Sequence, residues 1–187
     1  MSKAVLISIR PKWCEQIVNG EKTVEVRKTR PKLNTPFRCY IYCTLPKYPH
    51  EDFITTDYPK PQFYGGGKVV GEFICDRIYE LETRSPGGSY YVKGEGQPTT
   101  NDVARQSCLD PSDMHAYLKS KPGYGLHISG LKVYDTPKEL DAFRRACVHS
   151  WYCDSCAMHW ENNGTCGNES LRLKRAPQSW CYVEKVE

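Results

Sequence analysis

The chain has 187 residues, 39% of them hydrophobic, with 26 Lys and Arg against 22 Asp and Glu for a formal net charge of +4. That length and composition suit one domain with loop insertions, able to bury a core unaided. No apolar run approaches the roughly twenty residues that a bilayer-spanning helix requires, and no internal repeat is visible, so neither a transmembrane helix nor a solenoid is expected.

Ala4-Val5-Leu6-Ile7-Ser8-Ile9 reads as a buried strand, and Pro11 to Val18 as a two-turn helix with Pro11 at its first position. Gly20 fits the left-handed residue that stops such a helix. On the strand that follows, period-two alternation sends Val24 and Val26 to one face and Glu25 and Arg27 to the other. Lys22 lies in the turn, where alternation does not fix its direction. Phe37 to Thr44 alternates like a strand, with Tyr40 and Tyr42 opposite Cys39 and Ile41. Residues 45–67 are rich in Pro, Tyr and Gly and read as a long loop insertion, of a length often tied to function. Lys68 to Leu81 reads as one long strand bent at Gly71, and 83–100 as a second irregular insertion. Helices are expected over Asn101–Gln106 and Pro111–Leu118, and a strand over Tyr124–Tyr134. Thr136-Pro137-Lys138-Glu139 has the form of a capping box and predicts a further helix.

Taken alone, Lys22, Glu25 and Arg27 read as a surface ion pair worth under about 1 kcal/mol. The surroundings argue otherwise. Residues 1–32 hold Lys3, Arg10, Lys12, Lys22, Arg27, Lys28, Arg30 and Lys32 against only Glu15, Glu21 and Glu25, a cationic lobe on a nearly balanced chain. Clustered cations attract phosphate, and arginine grips phosphate or base edges with a bidentate fork. RNA or a nucleotide is therefore the expected partner, with Arg10, Lys28 and Arg30 steering phosphate, Arg27 or Glu25 reading polar edges, and a tyrosine such as Tyr42 stacking on a base. Gly65, Gly66 and Gly67 do not form a phosphate loop, because no Lys-Ser or Lys-Thr follows into a helix.

Ten cysteines are present. Cys14, Cys39, Cys43, Cys75 and Cys181 fall singly in apolar patterns and read as small hydrophobes. Four others crowd one segment, Cys147, Cys153, Cys156 and Cys166, and this spacing predicts a tetrahedral structural zinc site in a knuckle over about 147–168. His149 or His159 could replace Cys147 or Cys166 as a ligand. Disulfides are the rival, but no secretory signal precedes the first strand, and a cytoplasmic location is expected.

The pattern Gly20-x-Lys22-x-x-Glu25-x-Arg27 resembles the signature of ASCH domains, a branch of the PUA-like superfold. Ser8–Trp13, Glu25–Lys32, Lys68–Phe73 and Pro177–Glu184 are similar to blocks of small bacterial and phage members of that family. The resemblance implies a mixed α/β fold, a PUA-like small β-barrel with flanking helices, spanning 1–187 as a single domain. It also implies association with RNA and a ligand cleft beside Lys22, Glu25 and Arg27. Some relatives hydrolyse acylated cytidines with the motif lysine as nucleophile and a threonine three residues later, where this chain has Glu25. Hydrolysis of such a nucleoside amide through Lys22, or of single-stranded RNA with Glu25 as base, therefore stands as the alternative to binding. A zinc-dependent module that docks a protein is a further one.

Overall fold

The computed structural model describes residues 3–45, 53–55, 62–85, 87–147, 156–161 and 167–186. Its first strand, β1 (Lys3–Ile9), is buried at every position after Lys3. The reason is that both of its faces are covered. Val5, Ile7 and Ile9 point into one apolar cluster with Cys39, Ile41, Phe73 and Leu126, while Ala4 and Leu6 point into another with Tyr40, Tyr42, Phe143, Leu173 and Val183. A strand wrapped on both sides reads as an unbroken apolar run, which is the pattern in this sequence.

Helix α1 (Pro11–Val18) follows, and Gly20 with φ of 76° turns the chain out of it into β2 (Val24–Arg27). Next come β3 (Phe37–Cys43), the short antiparallel pair β4 (Phe53–Thr55) and β5 (Gln62–Tyr64), then β6 (Val69–Cys75), β7 (Ile78–Thr83) and β8 (Tyr90–Val92). Helices α2 (Thr100–Gln106) and α3 (Pro111–Leu118) lead to β9 (Gly123–His127) and β10 (Ser129–Lys138). Helix α4 (Ala157–Glu161) and β11 (Trp180–Glu184) complete the described elements. No described helix is long and apolar enough to cross a membrane.

The strands form two main sheets, β10-β6-β3-β1-β11 and β2-β9-β7-β8. They share a core in which Leu126 and Ile78 of the second sheet meet Val5, Ile7 and Phe73 of the first. The other face of the second sheet packs Val24, Val26, Tyr79 and Leu81 against Val103 and Ala104 of α2 and Met114 and Leu118 of α3. The expected barrel thus takes the form of two facing sheets; among the described residues their strands do not close into one hydrogen-bonded ring.

Three sequence expectations change. The single strands expected over 68–81 and 124–134 are each two strands that pass from one sheet to the other, at Asp76-Arg77 and at Ile128. The two crossings lie side by side, joined by His127 Nδ1 and Asp76 Oδ1 at 2.6 Å and by the His127 amide donating to the Arg77 carbonyl. The helix expected from Thr136 does not form. β10 continues to Lys138, paired with Val69 across a register shift that accommodates Pro137, and only a 3-10 turn (Leu140–Ala142) follows. Sheet pairing has overridden a local cap signal. The expected insertions also contain strands: β4 and β5 pair with each other within 45–67, and β8 within 83–100 pairs in register Leu81↔Val92 and Thr83↔Tyr90.

Phe143, fully buried, packs edge-on against Tyr40 with ring centroids 4.9 Å apart and seals the outer face of the first sheet. Phe143→Ala is expected to lower stability by about 3–5 kcal/mol, read as a reduced denaturation midpoint with an unchanged slope in urea.

Candidate functional site

A cleft of about 880 Å³ opens where the ends of β1 and β2 meet α1 and α3. Its floor is the motif read from the sequence. Lys22, Glu25 and Arg27 are only 3%, 7% and 8% exposed. Glu25 lies between the two cations, with Lys22 Nζ 3.3 Å from Oε2 and an Arg27 terminal nitrogen, Nη2, 3.0 Å from Oε1. Each cation has a second anchor on the backbone. Lys22 Nζ donates to the Ser107 carbonyl at 2.6 Å, just past α2, and Arg27 Nη2 donates to the Ser8 carbonyl at 2.5 Å in β1. Arg27 Nε is buried with no hydrogen-bond partner among the described residues.

The local fold explains these directions. In the turn after α1, Gly20 allows the amides of Glu21 and Lys22 both to donate to the Gln16 carbonyl, which fixes the Lys22 backbone. The alternation of β2 puts Val24 and Val26 into the α2/α3 cluster, leaving Glu25 and Arg27 on the opposite face, toward the cleft.

The walls carry charge and aromatic surface. Arg10 and Lys28 stand at the cleft, and Trp13 of α1 lies beneath two ammonium groups, Lys12 at 4.9 Å and Lys22 at 5.0 Å from its ring centroid. Tyr117 of α3 lines the opposite side, with Lys28 Nζ 5.0 Å from its ring centroid. Burial pushes the Tyr117 phenol above its ordinary pKa, and the neighbouring Arg27 guanidinium only partly offsets this. Gln178 and Ser179 close the cleft from the C-terminal side, held by Ser8, whose hydroxyl donates to the Pro177 carbonyl at 2.6 Å and whose amide donates to the Ser179 carbonyl at 2.9 Å.

Of the sequence-derived binding residues, Arg10, Lys22, Glu25, Arg27 and Lys28 are therefore brought together. Arg30 is not among them. It turns to Glu80, 3.6 Å away, and lies over the Tyr124 ring. Tyr42 is corrected: it is 7% exposed inside the cluster sealed by Phe143, Leu173 and Val183, so it presents no face to a base. The cleft's aromatic surface is Trp13 and Tyr117 instead. Tyr117 and Asp113 were not singled out as site residues by sequence reasoning, and Gln178 and Ser179 were noted only as part of the block Pro177–Glu184. The available signal was the helical spacing of α3, in which Met114 and Leu118 take the buried side and leave Asp113 and Tyr117 one turn apart outside it.

The predicted metal ligands are only partly described. Cys147 and Cys156 are half-buried, while Cys153, Cys166 and His149 lie outside the described residues, as does the side chain of His159.

Residues 7–42, from β1 through β3 and including the whole Lys22–Glu25–Arg27 motif, match the family model of the ASCH domain. Over that segment the chain is similar to the ASCH family. Among solved structures, the ASCH protein of Zymomonas mobilis superposes with a TM-score of 0.54 at 16% identity, covering 97% of this chain and 88% of that one. A tyrosine-to-phenylalanine variant of the same protein gives 0.52 at 16% identity, with 98% and 92% covered. A serine-to-alanine variant gives 0.54 at 16% identity, with 97% and 89% covered. At that identity the likeness shows that the chain shares the fold of that ASCH protein. No curated protein shows significant similarity to the chain.

Removing the charge of Glu25 would leave two buried cations facing each other. Glu25→Gln is expected to cost about 3–5 kcal/mol in chemical denaturation, whereas a loss under about 1 kcal/mol would mean that the three groups behave as a solvated surface pair.

Proposed function

We propose that this ASCH domain binds single-stranded RNA or a nucleotide in the cleft floored by Lys22, Glu25 and Arg27. The observation that carries this reading is the buried, cross-braced ion group at the base of a cleft with cationic rims and aromatic walls. Arg10 and Lys28 supply the charge that draws phosphate in, Trp13 and Tyr117 supply surface on which a base can stack, and the unmatched Arg27 Nε leaves a donor at the floor.

Binding is favoured over attack by Lys22. An amine nucleophile needs its lone pair aimed at the substrate, and here two N–H bonds are committed to the Ser107 carbonyl and the Glu25 carboxylate. Glu25 is likewise engaged at both oxygens, which argues against its use as the base in RNA cleavage.

A binding isotherm with fluorescent single-stranded RNA tests the proposal. Affinity is expected to fall steeply as salt rises, and the Arg10→Ala, Lys28→Ala double variant should reduce that salt slope by about 2, one for each phosphate that is no longer neutralised. Binding that ignores salt, or a double variant with the native slope, would remove it.

For the cysteine segment we propose structural zinc held by Cys147, Cys153, Cys156 and Cys166. The support is chemical: a four-thiolate set is soft and closed, which suits tetrahedral zinc and leaves no position for a reacting water. Cys147 follows directly on the segment Arg144–Ala146, which hydrogen-bonds β11, so the metal loop would spring from the body of the fold. Protein purified without added metal should carry stoichiometric zinc, and Cys153→Ser with Cys156→Ser should lose it; metal-free native protein would refute the site.

A further inference from the structure

Two carboxylates line the cleft, Glu25 and Asp113, and they differ in what they have left to offer. Both oxygens of Glu25 face cations. Asp113 is exposed and forms no ion pair among the described residues. A carboxylate at the cleft works against phosphate binding, so a polyanionic ligand must give it something in return. Ring N–H groups and the ribose 2′-hydroxyl can do so, but the exocyclic amines of the bases do it at an edge position where another base carries an acceptor, as cytosine N4 does against uracil O4.

The geometry of α3 fits that role. Asp113 lies in the first helical turn, where the macrodipole favours a negative side chain, so the acceptor is held in place by a rigid element. Tyr117 follows four residues later on the same face, also lines the cleft, and keeps 38% of its surface exposed for stacking. Lys28 stands over the Tyr117 ring, beside the path that a backbone phosphate of the stacked nucleotide would take.

Resting on the RNA-binding reading above, we infer that Asp113 and Tyr117 form a base-reading face, which prefers a single-stranded base bearing an exocyclic amine over uracil. Cytosine and uracil present the same ring to Tyr117. They differ at position 4, where the cytosine amine donates to Asp113 and the uracil carbonyl oxygen in the same place meets it as a second acceptor.

The test compares short oligocytidine and oligouridine of equal length on the full chain, by fluorescence anisotropy at one fixed salt concentration. The native protein should favour oligocytidine about tenfold, and Asp113→Ala should collapse that ratio mainly by tightening oligouridine binding. Asp113 is exposed, so the variant is expected to fold as the native chain does. Equal native affinity for the two oligomers overturns the inference. So does a variant that binds both more tightly by the same factor, since that is long-range repulsion without base contact. Failure of the native protein to bind either oligomer would overturn the RNA-binding proposal itself.

Discussion

The Glu25 carboxylate is the point to which the rest of the site is fastened. Three charges removed from water are costly unless each is matched, and here the matching draws on several elements: Glu25 and Arg27 from β2, Lys22 from the turn after α1, the Ser8 carbonyl from β1 and the Ser107 carbonyl from the end of α2. Their convergence fixes how β2 lies against β1 and how the α2–α3 pair lies against both. The side chains at the floor have already lost their rotamer freedom in the folded protein. A ligand entering the cleft therefore meets a surface that need not be ordered on binding.

The two sheets serve that arrangement by dividing the labour. The first holds β1 between β3 and β11 and buries it on both faces, so its end at Ser8 is a rigid reference point. The second presents β2 at its edge, where one face anchors Val24 and Val26 into the α2/α3 cluster and the other delivers Glu25 and Arg27. The adjoining crossings at Asp76-Arg77 and Ile128 join the two sheets, whose strands, among the described residues, do not close into a hydrogen-bonded ring.

Much of this was legible from local pattern. The β1 apolar run, the proline start and glycine stop of α1, the alternation of β2 and the motif charges all depend on residues close together in the chain. What escaped depends on distant partners. Tyr42 reads as an outward tyrosine until Phe143, Leu173 and Val183 arrive from far along the chain to cover it. The Thr136 capping box is locally sound, yet the pairing of Lys138 with Val69 outweighs it. Tyr117 and Asp113 had the right helical phase, but nothing nearby in sequence shows that α3 faces β2. Lys22 was the intermediate case: its turn was readable, and its direction came from the Ser107 carbonyl, 85 residues on.

The pairing of β1 with β11 imposes an order on assembly. Ser8 leaves the ribosome 169 positions ahead of Pro177, the residue whose carbonyl its hydroxyl reaches, and the segment from Pro177 to Ser179 closes that side of the cleft. Until that segment arrives, the flank of β1 is an uncovered template and the recess lacks a wall. The recess is thus complete only once Ser8 and Pro177, 169 residues apart, have come together, a non-local closure of the kind that forms slowly relative to local contacts.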